Sequence, residues 1–259
     1  MHRWALTAVG LATLTWASIA SAADTVDPLG SELWPDLKEA YLGDAPVVYD
    51  KAVKLVMPLR VEDAANVPVI VRLSEDLGQV AELTVIAENN PIQAAAQIFP
   101  RRPMYTVGMN IRLERSTPVR AAALDANGVW HVSSLEIIVM GAGGCSAGGS
   151  DMAGNELGEI AVRQFNRADG ASRLKVKINH PMDTGFAPGE DGELVPAYYI
   201  EKMTVEDEFG PVADMITWAA LSSDPSFFFD LPDRRQSVRV HASDTNGLAF
   251  EALDPAPSM

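Results

Sequence analysis

The chain has 259 residues, of which 47% are hydrophobic, and this apolar content suffices for one or two compact domains. Acidic residues outnumber basic residues 35 to 20, so the formal net charge is −15 at pH 7. Because contacts to phosphate backbones need clustered Lys and Arg, this charge argues against a protein that binds nucleic acid.

The first 23 residues are typical of a secretory signal. Arg3 precedes an apolar stretch that runs to about Ile19, and the small residues at 20–23 offer a cleavage site. The stretch is shorter than the roughly 20 residues that a membrane span needs, which disfavours an uncleaved anchor. We therefore expect residues 1–23 to be removed on export to the periplasm, and we expect no membrane association of the mature chain.

The first predicted unit, residues 24–140, begins with a short helix and continues as strands. Pro35 suits the first turn of a helix from Trp34 to Leu42, and Gly43 ends it. Beyond it, hydrophobicity alternates with period two in short runs separated by turn residues, as in an antiparallel sandwich. The sequence at 125–128, Asp-Ala-Asn-Gly, is typical of a hairpin turn. The alternating runs cover 53–61, 67–73, 83–87, 105–113 and 135–139.

A glycine-rich segment interrupts this pattern at 141–159. It contains seven glycines and no β-branched or aromatic residue, which predicts a flexible linker. A second unit, 160–259, has its own alternating runs and another Asn-Gly turn at 244–247. Its runs cover 174–178, 199–205, 215–218, 227–231, 238–242 and 248–252. The sequence thus predicts an all-β protein of two immunoglobulin-like β-sandwich domains joined by a glycine-rich linker, with a short N-terminal helix.

The linker carries Cys145, the only cysteine of the chain. One thiol cannot form an internal disulfide, although the predicted compartment is oxidising. Its glycine neighbours predict a mobile, exposed thiol on a flexible arm that reaches into the active site of another protein. The alternatives are a thiol paired with another molecule and an inert cysteine. A chance cysteine in an exposed linker is disfavoured because a free thiol there is open to oxidation, and a buried structural cysteine is disfavoured because glycine on both sides is a poor setting for it. The arm glycines are Gly141, Gly143, Gly144, Gly148 and Gly149.

No catalytic residue, metal site or cofactor is predicted. No histidine lies near Cys145 in the sequence, and at an ordinary pKa of about 8.5 only a few per cent of the thiol is ionised at pH 7. Clusters with the spacing of a zinc or haem site are absent from the sequence. For His180, a role in a turn or in a domain interface is favoured over a role as ligand or base. Five arginines either form an anion-attracting patch near the arm or line a solvated strand face, the favoured interpretation: Arg101, Arg102, Arg112, Arg115 and Arg120.

Several motifs resemble those of a known pair of proteins, SoxY and SoxZ, the subunits of the periplasmic carrier of thiosulfate oxidation. In the first half the similar segments are 58–63 (PLRVED), 67–69 (VPV), 88–91 (ENNP) and the GGC at 143–145. In the second half they are 180–185 (HPMDTG), 191–200 (DGELVPAYYI), 223–225 (SDP) and 244–247 (DTNG). The SoxZ-like motifs occur in the family's order and are specific, whereas GGC alone is not.

This resemblance to a fused SoxY–SoxZ carrier implies two immunoglobulin-like sandwiches packed on each other. It implies that Cys145 binds sulfur and is presented to periplasmic sulfur-oxidising enzymes as a persulfide or S-thiosulfonate. Fused carriers of this kind are associated with quinoprotein alcohol dehydrogenases, which leaves the cargo open. The chain departs from SoxY in one respect: the cysteine does not end the chain, so Cys145 lies on a loop held at both ends.

Three functions are compatible with these observations. The leading hypothesis is a carrier without catalysis of its own, loaded covalently at Cys145. The alternative is a non-catalytic binding or assembly module for a periplasmic quinoprotein (PQQ) dehydrogenase system. An enzyme that uses Cys145 as its nucleophile is the weakest hypothesis, because the sequence offers no base or oxyanion donor.

Overall fold

The computed structural model describes residues 24–147, 157–167, 171–235 and 237–255. The predicted signal at 1–23 therefore lies outside the described residues. The regular structure of the described chain is mostly β-strand, with one α-helix, which confirms the predicted all-β class with a short N-terminal helix. Among the described helices, none has the length and apolarity to cross a membrane.

The helix α1 spans Trp34–Leu42, as predicted, with Pro35 in its first turn and Gly43 at a positive φ of 65° after its end. Sixteen strands follow within the described residues. They are β1 Val47–Val48, β2 Val53–Val56, β3 Arg60–Val61, β4 Val67–Leu73, β5 Glu82–Ala87, β6 Ala94–Pro100, β7 Thr106–Ile111, β8 Thr117–Leu124, β9 Trp130–Val139, β10 Ile160–Asn166, β11 Ser172–Ile178, β12 Ile200–Asp207, β13 Gly210–Thr217, β14 Ser226–Leu231, β15 Ser237–Asp244 and β16 Ala249–Pro255.

The predicted runs correspond to strands with several differences, and one of them is that the two-residue strand β1 was not predicted. The run 53–61 is broken between β2 and β3 around Pro58, which lacks the N–H that a ladder needs. Strands β6 and β8 were missed because most of their residues are buried, so their hydrophobicity does not alternate. Strand β10 was missed because it is a largely exposed strand at the edge of its sheet. Both predicted turns are confirmed, at 125–128 between β8 and β9 and at 244–247 between β15 and β16.

The strands form two sheets that face each other and extend through both halves of the chain. The ten-stranded sheet has the order β1-β9-β8-β5-β6-β13-β12-β15-β16, with β3 also beside β9. The six-stranded sheet has the order β10-β11-β14-β7-β4-β2. Each half contributes strands to both sheets, so each half is a sandwich. The halves are joined edge to edge, because β6 pairs with β13 in one sheet and β7 pairs with β14 in the other.

The core is continuous across this joint. One buried cluster includes Val69 and Leu83 from the first half together with Val176 and Met203 from the second. Burial of this shared apolar surface favours pairing of the halves, since the hydrophobic contribution grows by about 25 cal/mol for each Å² removed from water. The boundaries predicted for the individual units stay a prediction.

A glycine permits close approach at the joint. Gly108 on β7 is the register partner of Phe228 on β14, and a Cβ atom at Gly108 would lie 1.9 Å from the Phe228 ring. The Arg173 guanidinium also lies over this ring, 4.0 Å from its centroid. The second half thus lays an aromatic side chain over the first, where only glycine leaves room for it.

A smaller core fixes the N-terminal segment on the ten-stranded sheet. Trp34 and Leu37 of α1 pack with Trp130. Beneath Trp34 lies Arg120, which is fully buried and donates from Nε to Glu88 at 2.6 Å. The expectation of a solvated position for Arg120 is therefore wrong, because an ion pair compensates for its burial.

Candidate functional site

The arm that carries Cys145 is docked against the protein and is not extended into solvent. After β9, the chain returns across the end of β7, where the Gly144 N–H donates to the carbonyl of Leu113 at 2.8 Å. Cys145 is 0% exposed. The prediction of an exposed, mobile thiol is wrong for this structure. The reason is that glycine permits close packing as readily as it permits flexibility.

Glu114, three residues beyond β7, binds the backbone on both sides of the thiol. Its Oε2 accepts hydrogen bonds from the N–H groups of Cys145 and Ser146 at 3.0 and 3.1 Å. Its Oε1 accepts a third from the Ser146 hydroxyl at 2.6 Å. A single carboxylate therefore holds two consecutive residues of the arm.

Arg112, one residue beyond β7, bonds to the arm from the other side and links it to the second half. Its Nη1 donates to the carbonyls of Gly144 and Ala147 at 3.1 and 3.2 Å. Its Nη2 donates to the carbonyls of Pro181 and Met182 and to the Ser223 hydroxyl. Nε donates to the carbonyl of Leu221 at 3.2 Å, so the guanidinium is surrounded by acceptors.

This burial makes both sequence interpretations of Arg112 wrong, because the side chain is neither a solvated strand residue nor part of a surface patch. Burial lowers the pKa of Arg112, and the nearby Cys145 and Asp183 oppose that shift. Arg101 and Arg102 pair instead with Asp214 and Asp207 of the second half, at 2.7 and 2.5 Å. The five arginines therefore do not gather near the arm.

The HPMDTG segment at 180–185 closes over the arm from the second half. The Thr184 hydroxyl donates to the carbonyl of Cys145 at 2.6 Å. Met182 has a positive φ of 53°, an uncommon conformation for a residue with a side chain, and its N–H donates to Nδ1 of His180. The motif thereby directs the Pro181 and Met182 carbonyls at Arg112. The role predicted for His180, in a turn at the interface, agrees with this geometry.

His180 belongs to a buried polar group that supports the segment. Its ring lies 4.4 Å from the ring of Tyr198, and the Tyr198 hydroxyl donates to Asp244 at 2.8 Å. Asp244 also accepts hydrogen bonds from the backbone N–H groups of Asn246 in the 244–247 turn and of Leu248 just after it. Burial lowers the pKa of His180, and Asp244, 3.7 Å away, partly offsets the shift. The SoxZ-like motifs thus converge on one support for the docked arm.

The arm glycines are required by contacts. A Cβ atom at Gly144 would lie 2.0 Å from the carbonyl oxygen of Ala64, and one at Gly143 would lie 2.4 Å from the Glu114 carboxylate. At Gly141 the Glu62 carbonyl oxygen would be 2.6 Å away. Gly148 and Gly149 lie outside the described residues. The glycines at 141, 143 and 144 allow the arm to lie flat on the protein.

The environment suppresses the reactivity of the docked thiol. Burial and the neighbouring Glu114 charge raise the pKa of Cys145 to about 12, and Arg112 only partly opposes them. Since the thiolate is the nucleophile, the docked thiol is unreactive at neutral pH. The described residues contain no group of three or more His, Cys, Asp or Glu side chains that could hold a metal ion.

Sequence reasoning found Cys145 and the HPMDTG motif but missed the two residues that hold the arm. Arg112 was considered only as a surface residue, since it occupies an outward position of the predicted run 105–113. Glu114 had no signal at all. Arg112 and Glu114 acquire their role only in the folded protein, where the arm packs against both residues and the second half packs against Arg112.

Two protein-family models match consecutive parts of the chain. Residues 38–145 match SoxY, the sulfur oxidation protein SoxY, and residues 161–253 match SoxZ, the sulphur oxidation protein SoxZ. No curated protein sequence matches the chain.

Similar solved structures include the sulfur carrier protein SoxY from Chlorobium limicola f thiosulfatophilum. It is 21% identical, with a TM-score of 0.36, over 42% of this chain and 96% of its own. A β-glycosidase from Bacteroides vulgatus is 7% identical, with a TM-score of 0.24, over 82% of this chain and 25% of its own. At these scores neither likeness carries an argument. The family assignment rests on the two family models. Because a SoxY unit is followed by a SoxZ unit in one chain, the protein belongs to the SoxYZ family of sulfur-oxidation carriers as a fused SoxYZ-like member.

Proposed function

We propose that this protein is a periplasmic carrier that binds a sulfur-containing intermediate covalently at Cys145 and presents it to sulfur-oxidation enzymes. One observation carries the proposal: Cys145, the only cysteine, is the last residue of the SoxY match and is enclosed by groups of both units. Export to the periplasm is supported by the signal-like residues 1–23.

The thiol can be loaded by two routes that differ in their need for an oxidant. In persulfide transfer, the Cys145 thiolate attacks the outer sulfur of a donor persulfide and the donor leaves as a thiolate, so no net oxidation occurs. Joining thiosulfate to the thiol as an S-thiosulfonate releases two electrons and one proton. That route needs a partner oxidoreductase to accept the electrons.

Both routes require the arm to leave its docked position, because a buried thiol of raised pKa offers no nucleophile. Residues 141–147 belong to none of the strands, so release breaks the contacts of Arg112, Glu114 and Thr184 without breaking a sheet. The docked arm then protects the thiol between loading events. Because the chain continues beyond Cys145, a partner must accept a loop and not a free chain end.

Intact-mass spectrometry of the protein from its native periplasm, before and after treatment with a reductant, tests the proposal. We expect a reductant-sensitive addition of sulfur or sulfonate that maps to Cys145, on a chain that lacks the first 22 or 23 residues. A Cys145→Ser variant is the matched control and should carry no such addition.

An unmodified thiol that also resists loading by polysulfide would contradict the carrier function. If a Cys145→Ser strain kept its quinoprotein dehydrogenase activity while a deletion strain lost it, the assembly-module alternative would replace the proposal.

A further inference from the structure

The outer face of the six-stranded sheet is basic, although the chain as a whole is strongly acidic. The register across five neighbouring strands aligns Lys54, Arg72, Thr106, Asp230 and Arg173 in one row. The outward positions that alternate with buried residues along β11 add two further cations, Lys175 and Lys177. In this row, the only carboxylate is that of Asp230.

A cavity of about 500 Å³ opens at this row. Its lining includes three guanidinium groups, from Arg72, Arg167 and Arg173, and one carboxylate, from Asp230. Arg173 forms a bidentate pair with Asp230 at 2.7 and 2.9 Å, and Arg167 lies 3.8 Å from the same carboxylate. Among the described residues, no carboxylate pairs with Arg72. Among the described lining residues, the three cations and one anion leave two positive charges uncompensated.

The cavity is built by both units and is remote from the thiol. Arg72 and Tyr105 come from the first unit, and Arg167, Arg173 and Asp230 come from the second. The Tyr105 N–H donates to the Asp230 carbonyl at 3.0 Å, directly across the joint.

The cavity lies at the start of β7, whereas the arm docks beyond the end of that strand. At about 3.4 Å per residue, the six steps from Thr106 to Arg112 separate the two places by roughly 20 Å.

We propose that this cavity binds a divalent tetrahedral oxyanion of the sulfate and thiosulfate type. The excess of two positive charges among the described lining residues equals the charge of such a dianion in magnitude. Guanidinium groups present parallel N–H donors that match the oxygen spacing of oxyanions, and the unpaired Arg72 has its donors available. The cavity is larger than one such anion, so water molecules complete the site. The inference goes beyond the carrier function, because it does not involve Cys145.

Isothermal titration of the full mature chain with sodium sulfate and sodium thiosulfate, at low ionic strength, tests this site. We expect saturable binding of one anion per chain that equal concentrations of sodium chloride do not reproduce. Arg72→Gln should weaken binding at least about tenfold, since it removes an unshared donor pair. The control is Lys175→Gln, which removes one charge from the same face outside the cavity and should change affinity less than about twofold, because exposed charges are screened.

Arg173→Gln provides a second variant, with its fold checked by thermal unfolding, and should also weaken binding at least about tenfold. Cys145→Ser should bind sulfate as the unaltered chain does. Absence of saturable binding, equal weakening by Arg72→Gln and Lys175→Gln, or dependence on Cys145 would each overturn the proposal. Saturation by hexaglutamate but by neither inorganic anion would overturn it in favour of a site for an acidic peptide.

Discussion

Replacing Glu114 by alanine should release the arm and make the Cys145 thiol reactive. The side chain accepts three hydrogen bonds from the arm, two from backbone N–H groups and one from the Ser146 hydroxyl. At about 1 kcal/mol for each partly exposed bond, their loss shifts the docking equilibrium by about 3 kcal/mol. Since about 1.4 kcal/mol corresponds to a factor of ten, the released population should grow roughly 100-fold.

The assay is the second-order rate of alkylation by iodoacetamide at pH 7.5, with the reagent in excess. Only the released arm reacts, so the rate reports the released fraction while release and docking are fast. Glu136→Ala is the matched control: this exposed glutamate lies on β9 and makes no described contact with the arm. Its rate should equal that of the unaltered chain.

Urea unfolding of each variant separates release of the arm from loss of the fold, because residues 141–147 belong to neither sheet. The reasoning fails if the unaltered chain already reacts as fast as the urea-unfolded protein. It also fails if Glu114→Ala changes the rate less than about threefold while the fold is retained. Gly144→Ala provides an independent route to the same state, since its Cβ would lie 2.0 Å from a backbone oxygen beneath the arm.

Three further predictions concern pH, the joint and the buried arginine. Docking raises the pKa of Cys145 from the range of an ordinary thiol, about 8.5 to 9.0, to about 12, so docking is fully stable below that range and weakens as pH rises towards 12. The alkylation rate of Cys145 in the protein should therefore keep rising about tenfold per pH unit to about pH 10. The alkylation rate of a peptide of residues 141–149 should level off near pH 9. If the rates of both levelled off near pH 9, docking of the thiol would be contradicted. Gly108→Ala should lower the free energy of unfolding in urea by about 1–3 kcal/mol through its clash with Phe228, and Phe228→Ala should relieve that clash in the double variant; additive costs would refute the clash. Arg112→Met should lower the same free energy by about 3 kcal/mol or more, because several buried carbonyl acceptors lose their donor; a loss below about 1 kcal/mol would show that water replaces the guanidinium.

The fold class and the position of the thiol followed from local sequence signals. Alternation identified half-buried strands such as β4, and proline and glycine marked both ends of α1. Alternation did not reveal β6 and β8, because strands whose residues are nearly all buried have no polar face and so show no period of two.

The resemblance of the motifs identified the family, and the family models confirmed it. The sequence also identified Cys145 as the residue of interest, since it is the only thiol and lies among glycines. These properties depend on residues close together in the chain, which is why they are visible without a fold.

The state of that thiol was decided by the tertiary structure. Arg112 and Glu114 hold the arm, and Thr184 reaches it from about 40 residues further along the chain. The same applies to the edge-to-edge joining of the two sandwiches and to the basic cavity that spans their joint. A single sequence specifies which residues can pair, but burial and charge at a site depend on which distant segments cover it, and only the assembled sheets bring those segments together.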